Sequence, residues 1–410
     1  MTYHIITYGC QMNKNDSKRI KRLFEESGLT EASEEKADFL IINACSVRGR
    51  VVDRIRGKLN NLKGEKNLIL TGCVLGEDKE KLADRFDYIL DMKRLPLWHK
   101  EIDELKDLSI EGDYFKIKAE RKKPVAYVPI MTGCDNFCSY CAVPYVRGRE
   151  KSRKSEDIVQ EVKELVGDGF KEIWLLGQNV NSYNKGKDPD FPALLKEINR
   201  LEGDFWIRFT SSHPKDFSKK LIKAMRQSEK VTDYLNLPVQ SGDNDILKAM
   251  NRPYSIEKYK NIVRKVRKEI PQITLSTDII VGFPGETRTA FENTKKLLEE
   301  VRFDMAYIAR YSPRPHTKAA DLEDNIGNKE KKERAKELTD LLKKHTLEKN
   351  KDKIGEEVEV LLTGHQDDYL IGKTKDYKTI KIKANRKHLN QFKRVKISGA
   401  TNFGLKGNIL

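Results

Sequence analysis

The chain has 410 residues, long enough for two or three domains that each bury a core, and no apolar run approaches the ~18 residues of a membrane span. The opening MTYHIITYGC lacks the basic and long apolar regions of a secretory leader, so the expectation is a cytoplasmic protein without a membrane partner. A net charge of +16 suggests a polyanionic partner, and residues 366–410 hold eleven Lys/Arg against three Asp, about half of that excess.

Residues 1–118 alternate short apolar runs (HIITYGC, DFLIINAC, NLILTGC) with amphipathic stretches such as DSKRIKRLFEESG, where Asp16 and Ser17 offer a helix N-cap and Gly28 a stop. That rhythm predicts an α/β domain with a parallel sheet. KIKAERKKP, residues 116–124, reads as a linker. Over 119–350 six strand candidates follow (AYVPIMTG, EIWLLGQ, WIRFTS, YLNLPV, TLSTDIIVG, DMAYIARYS), most with a helical pattern behind them, which predicts an open (β/α)6 barrel ended by a charged helix, EKKERAKELTDLLKKHTLEKN. In 351–410, EEVEVLL, TIKIKAN and RVKISGA alternate with period two, and Gly364, Gly372 and Gly399 lie between them. The prediction there is a small antiparallel β-barrel with Lys381 and Lys383 on the outward face of one strand.

The cysteines fall into two groups of three. Cys134, Cys138 and Cys141 lie in GCDNFCSYC, on the loop after the first barrel strand, with no fourth Cys or His nearby to complete a zinc site. Thiols stay reduced in the cytoplasm, so metal chemistry is favoured over disulfides. Three thiolates can carry a four-iron cubane with one iron left open to a substrate. Cys10, Cys45 and Cys73 are far apart in sequence, yet each follows an apolar run and precedes a helix. That places all three at carboxyl ends of parallel strands, which converge on one crevice, and a second cubane with a free iron is expected there.

The spacing Cys-x3-Cys-x2-Cys resembles the signature of radical S-adenosylmethionine enzymes. TYGCQMNKNDS, NACSVR, LTGCV, GCDNFCSYCAVPYVRGRE, LLGQNVNSY, FTSSHP, LPVQSGDNDIL, DIIVGFPGET and YSPRP, in this order, resemble the tRNA methylthiotransferases of the MiaB type over almost the entire chain. The tail resembles the RNA-binding TRAM domain of that family. The resemblance implies two [4Fe-4S] clusters and S-adenosyl-L-methionine as cofactors. The cluster on Cys134, Cys138 and Cys141 would pass one electron to S-adenosylmethionine, and the cluster on Cys10, Cys45 and Cys73 would hold the sulfur to be inserted. It further implies that Tyr140 stacks on the adenine of the cofactor, that Gly177 and Gln178 lie at its amino group, and that Gly285 and Glu286 end the strand at its adenine.

The implied reaction adds a methylthio group to carbon 2 of N6-isopentenyl (dimethylallyl) adenosine beside the tRNA anticodon. Implied partners are the anticodon stem-loop, a one-electron reductant such as flavodoxin or ferredoxin, and a sulfur donor; the sequence identifies neither of the last two. Competing readings are a methylthiotransferase for threonylcarbamoyl-adenosine tRNA or a ribosomal-protein aspartate, and a non-catalytic iron–sulfur RNA-binding sensor. Arg147 and Arg149 could contact RNA or be solvated arginines pairing Glu150. Lys18, Ala44 and His316 depart from the family pattern, the last standing where glycine is usual.

Overall fold

A computed structural model describes residues 1–47, 50–62, 64–105, 114–117, 119 and 123–410. Its two compact units do not follow chain order: Met1–Arg121 groups with Thr132–Arg153 and Ser312–Asp321, and Lys122–Met131 groups with Lys154–Tyr311 and Leu322–Leu410.

The first unit contains β1 (Thr2–Tyr8), α1 (Gln11–Glu26), β2 (Thr30–Glu31), β3 (Phe39–Cys45), α2 (Arg50–Asn60), β4 (Asn67–Cys73), α3 (Gly76–Glu80) and β5 (Tyr88–Ile89). The strands form one parallel sheet in the order β2-β1-β3-β4-β5. Central β3 is buried from Phe39 to Ala44, which is why it reads as an unbroken apolar run. Ile20, Leu23 and Phe24 of α1 pack on one sheet face with Tyr3, Phe39 and Ile41. Val52, Ile55 and Leu59 of α2 pack with Ile42 and Leu70 in a separate cluster.

The start of α1 corrects the sequence reading. Its N-cap is Cys10, and Asp16 and Ser17 lie inside the helix, buried. Asn13 takes the capping role, because its Oδ1 accepts the Cys10 N–H at 3.3 Å. Gly28 does end the helix region, at φ 80°. Of the expected linker at 116–124, residues 118 and 120–122 lie outside the described residues, and Ile117 is buried in the core of this unit.

Strand β6 (Val125–Pro129) opens the second unit, and the chain then passes through β7 (Met131–Thr132), α4 (Val143–Arg147) and β8 (Lys151–Ser152). The second unit continues with α5 (Ser155–Gly167), β9 (Glu172–Leu176), α6 (Phe191–Asn199), β10 (Trp206–Phe209), α7 (Lys219–Gln227), β11 (Tyr234–Asn236), α8 (Asn244–Ala249), α9 (Ile256–Glu269), β12 (Thr274–Val281), α10 (Arg288–Val301), β13 (Met305–Arg310) and α11 (Asn328–Asp352). Its six barrel strands are parallel in two groups, β10-β9-β6 and β11-β12-β13, joined by a bridge between Ile207 and Val231. This is the open barrel expected.

The last residues form β14 (Glu357–Gln366), β15 (Tyr369–Thr374), β16 (Thr379–Lys383), β17 (Phe392–Thr401) and β18 (Gly404–Ile409), closed in the order β14-β15-β16-β18-β17. The small barrel expected is antiparallel at every seam but one, where β16 and β18 are parallel. A closed ring with an odd number of strands cannot alternate direction all the way round, so one pair has to run in the same direction. The glycines also differ from expectation: Gly372 lies within β15, and Gly364 and Gly399 mark register shifts inside β14 and β17. Ile380 and Ile382 fill the interior while Lys383 is exposed and Lys381 lies over the Tyr369 ring at 4.4 Å.

The turn between β15 and β16 closes the amino-terminal ends of the open-barrel strands. Tyr377 packs on Trp174 and Tyr234 with ring centroids 5.2 and 4.5 Å apart. Arg208 donates to the carbonyls of Thr374 at 2.9 Å and Lys375 at 2.8 Å, and pairs with buried Glu172 at 3.2 Å.

Candidate functional site

Strands β1, β3 and β4 are neighbours, so residues at their carboxyl ends meet along one sheet edge. Cys45 and Cys73 are direct register partners there, and Cys10 follows β1 by two residues. Fully buried Asn13 joins the group. Its Oδ1 accepts from Cys10 Sγ at 3.5 Å, and its Nδ2 lies 3.1 Å from Asn43 Oδ1 and 3.9 Å from Cys73 Sγ. Asn43 Nδ2 in turn donates to Ser17 Oγ at 2.9 Å. Gly72 brings β4 this close to β3: it sits at φ 102°, and a Cβ there would meet the Ala44 carbonyl oxygen at 2.3 Å.

The thiols sense one another. A hydrogen bond to Cys73, reinforced by burial, pushes Cys45 well above the usual thiol range. The same bond lowers Cys73, aided by the charge of Arg147.

The other trio lies on a loop closed on itself. Cys134 donates its N–H to Gly148 O at 3.2 Å, and Cys141 to Cys138 O at 2.9 Å. Gly133, at φ 79°, is a close-approach position where a Cβ would lie 2.0 Å from Arg149 O. Cys134 and Cys138 are buried, and burial raises the Cys134 thiol. Tyr140, between the last two cysteines, is half-buried. The segment 312–321 is bound to this loop, with Ala319 N–H donating to Ser139 O at 2.8 Å and buried Arg314 paired with Asp78.

Arg147 is turned inward rather than toward solvent. It donates from Nε to Cys73 Sγ at 2.9 Å and from Nη2 to Asp16 Oδ2 at 2.7 Å, with 11% of its side chain exposed. Arg149 is open to solvent and pairs with Asp135 at 2.9 Å. His316 adopts φ 63°, a backbone region that favours glycine, and its Nε2 reaches Glu77 Oε1 at 2.9 Å.

In the second unit, polar groups gather at the carboxyl ends of the barrel strands, the face where parallel barrels bind ligands. Gly177 closes β9 against Met131 and Val180, and Gln178 Oε1 is buried without a partner. Gly285 lies at φ 83°, and Glu286 is buried, accepting from Gly282 N–H and Arg334 Nη1 at 2.6 Å each while its Oε1 has no partner. Desolvation raises the Glu286 carboxyl.

Further polar groups line the same face. Asn179 Oδ1, Asn181 Nδ2, Ser212 Oγ and His213 Nε2 are also buried and unpartnered. His213 Nδ1 accepts from Lys215 N–H at 3.1 Å, so Nε2 carries the hydrogen and offers a buried donor. Burial and the nearby Arg252 push this imidazole down to about 2, so it is neutral. The signal was present in FTSSHP, where a polar run directly follows a barrel strand.

Among the described residues no three His, Cys, Asp or Glu side chains are close enough to enclose a single metal ion. The donor chemistry, three thiols and no fourth ligand in each set, suits a larger iron–sulfur cluster.

Comparison with known proteins gives first the class. The model of the Radical SAM superfamily matches residues 128–298, and that of the uncharacterized protein family UPF0004 matches residues 2–91. The fold is similar to a radical S-adenosylmethionine methyltransferase, TsrM, from Kitasatospora setae, with a TM-score of 0.57 and 11% identity over 78% of this chain and 77% of that one. Among curated relatives, a tRNA-2-methylthio-N(6)-dimethylallyladenosine synthase of Carboxydothermus hydrogenoformans is 41% identical over 99% of this chain and 98% of its own. One of the same name from Caldicellulosiruptor saccharolyticus is 42% identical over 100% of this chain and 92% of its own. The chain belongs to the family of tRNA-2-methylthio-N(6)-dimethylallyladenosine synthases.

Proposed function

We propose that this protein is a radical S-adenosylmethionine methylthiotransferase acting on carbon 2 of N6-dimethylallyl adenosine next to the tRNA anticodon. The observation that carries the reading is the partition of all six cysteines into two three-thiol sets, in a chain about 40% identical to such synthases along its whole length. Cys134, Cys138 and Cys141 would hold one [4Fe-4S] cluster, and Cys10, Cys45 and Cys73 the other. When bound, the clusters and S-adenosylmethionine supply the one-electron and sulfur chemistry that replacing an unactivated carbon–hydrogen bond demands.

The chain's own share is binding, orientation and exclusion of water. Tyr140 offers a half-buried ring beside the first trio for the cofactor's adenine. Gly177 and Gln178 directly follow β9, with a buried acceptor on Gln178 suited to an ammonium group. Gly285 and Glu286 end the β12 segment, where the Glu286–Arg334 pair holds the turn in shape. Asn13, Asn43 and Ser17 hold the auxiliary thiols in register. The exposed lysines of the last barrel would contact phosphates without reading sequence, while an unpaired loop adenine can be splayed out to the site. A cytoplasmic setting, a flavodoxin- or ferredoxin-type reductant and a sulfur donor complete the reading.

The test is competition in one anaerobic assay between anticodon-loop RNAs bearing unmodified, dimethylallyl and threonylcarbamoyl adenosine. A pocket shaped for the prenyl group loses ~0.8 kcal/mol per missing buried CH₂. Dimethylallyl RNA is therefore expected to win by roughly two orders of magnitude over unmodified RNA, at ~1.4 kcal/mol per decade. Preference for the threonylcarbamoyl loop would assign the chain to another branch.

A further inference from the structure

The contact between Arg147 and Cys73 links two parts of the chain that carry different cysteine trios. The backbone of Arg147 belongs to the first. Helix α4 begins two residues after Cys141 and ends at Arg147, and the carbonyl of the next residue, Gly148, accepts the Cys134 N–H at 3.2 Å. The side chain belongs to the second. Its Nε lies 2.9 Å from Cys73 Sγ, and its Nη2 lies 2.7 Å from Asp16, whose side chain is fully buried. Tyr114 donates its hydroxyl to the other Asp16 oxygen, so the carboxylate cannot swing away from the guanidinium without losing both bonds.

We propose that Arg147 is a positioning residue for the auxiliary trio: it orients the Cys73 sulfur and places a fixed positive charge against it, from the loop that carries the other trio. The inference rests on the reading of Cys10, Cys45 and Cys73 as cluster ligands. A guanidinium is always charged and can serve the sulfur and the carboxylate at once through separate N–H groups, which a lysine cannot reproduce. Hydrogen bonds to ligand sulfurs and nearby net charge are among the levers that set the potential of an iron–sulfur centre. One-electron reduction adds a negative charge, and a cation at hydrogen-bond distance stabilises that charge. Burial keeps salt from screening the effect. Asp16 opposes it, so the two residues carry opposite signs.

The experiment uses the full chain with Cys134, Cys138 and Cys141 replaced by alanine, loaded anaerobically with iron and sulfide so that only the auxiliary site is filled. The midpoint potential is read by redox titration followed by electron paramagnetic resonance, with iron and sulfide counted on each sample. Arg147→Gln should shift the potential down, Asp16→Asn should shift it up, and Arg147→Lys should fall between Arg147→Gln and the parent. Equal potentials in all variants, at unchanged iron content, would show that Arg147 is only a structural tie and overturn the inference. If Arg147→Gln does not load, the opposite shifts expected of Arg147→Lys and Asp16→Asn decide alone. A parent protein that takes up no iron at Cys10, Cys45 and Cys73 would instead refute the reading of the auxiliary site.

Discussion

His213 shows how a single side chain can report on its surroundings. Its ring is buried at the carboxyl end of β10, and its proton affinity is depressed to about 2 by desolvation and by Arg252. In the unfolded chain the same imidazole titrates near ~6.5. Between those values the unfolded state binds a proton that the folded state refuses, so stability falls as pH is lowered from about 6.5. The contribution is ~1.4 kcal/mol per pH unit. Urea unfolding of the wild type and of His213→Asn at pH 6.5 and pH 5 should show a smaller acid loss in the variant by about that slope, and parallel losses would contradict the assignment. Asn13 makes a second case at this scale. Its amide touches Cys10, Asn43 and the region of Cys73 from a fully buried position. Asn13→Ala leaves those partners unsatisfied, a cost of about 1–3 kcal/mol, and should lower iron uptake at the auxiliary trio while sparing the other. Iron analysis of the loaded protein checks it.

Among the elements, the pair β3–β4 is the most exacting. Cys45 and Cys73 become neighbours only if the two strands keep register to their last residue, and Gly72 permits that approach. Gly72→Ala combines a left-handed backbone with a clash against a carbonyl that cannot move without breaking the ladder. A destabilisation of several kcal/mol is expected, of which ~1–3 kcal/mol is backbone strain alone. Thermal unfolding compared with Gly76→Ala, which meets open space at the start of α3, provides the control. Helix α1 makes the complementary point. Asp16 and Ser17 look like caps because they precede an amphipathic run, but the helix begins earlier and turns both inward, to Arg147 and to Asn43.

At the scale of the molecule, the basic C-terminal barrel is not a detachable RNA grip. Its β15–β16 turn covers the amino ends of the open-barrel strands, with Arg208 and Glu172 paired beneath it at 0% and 3% side-chain exposure. Arg208→Ala strands a buried carboxylate and two carbonyls, and should cost about 3–5 kcal/mol, measured by denaturant unfolding. Deletion of residues 351–410 would confound stability with binding, so RNA affinity is better tested by charge removal at exposed positions such as Lys383 and Lys396. Each lost phosphate contact should reduce the slope of log affinity against log salt by ~0.7–0.9. An unchanged slope would place the RNA elsewhere.

The apolar runs of β1, β3 and β4, the barrel rhythm from Ala126 onward and the grouping of the cysteines were all legible in the sequence. These features depend on local periodicity and on spacing along the chain, which a linear text preserves. The tail was half legible. YLIGKT and GLKGNI are interrupted by glycine and did not read as strands, and the parallel seam of the barrel follows from ring closure, which no local pattern encodes. Arg147 meets Asp16 across 131 residues of chain, and the His213 N–H reaches Asn181 Oδ1 across 32. Those contacts exist only because parallel strands bring distant carboxyl ends together and exclude water from them. The residue types and their order determined which chemistry this chain can hold; which charge stands against which sulfur was decided by packing.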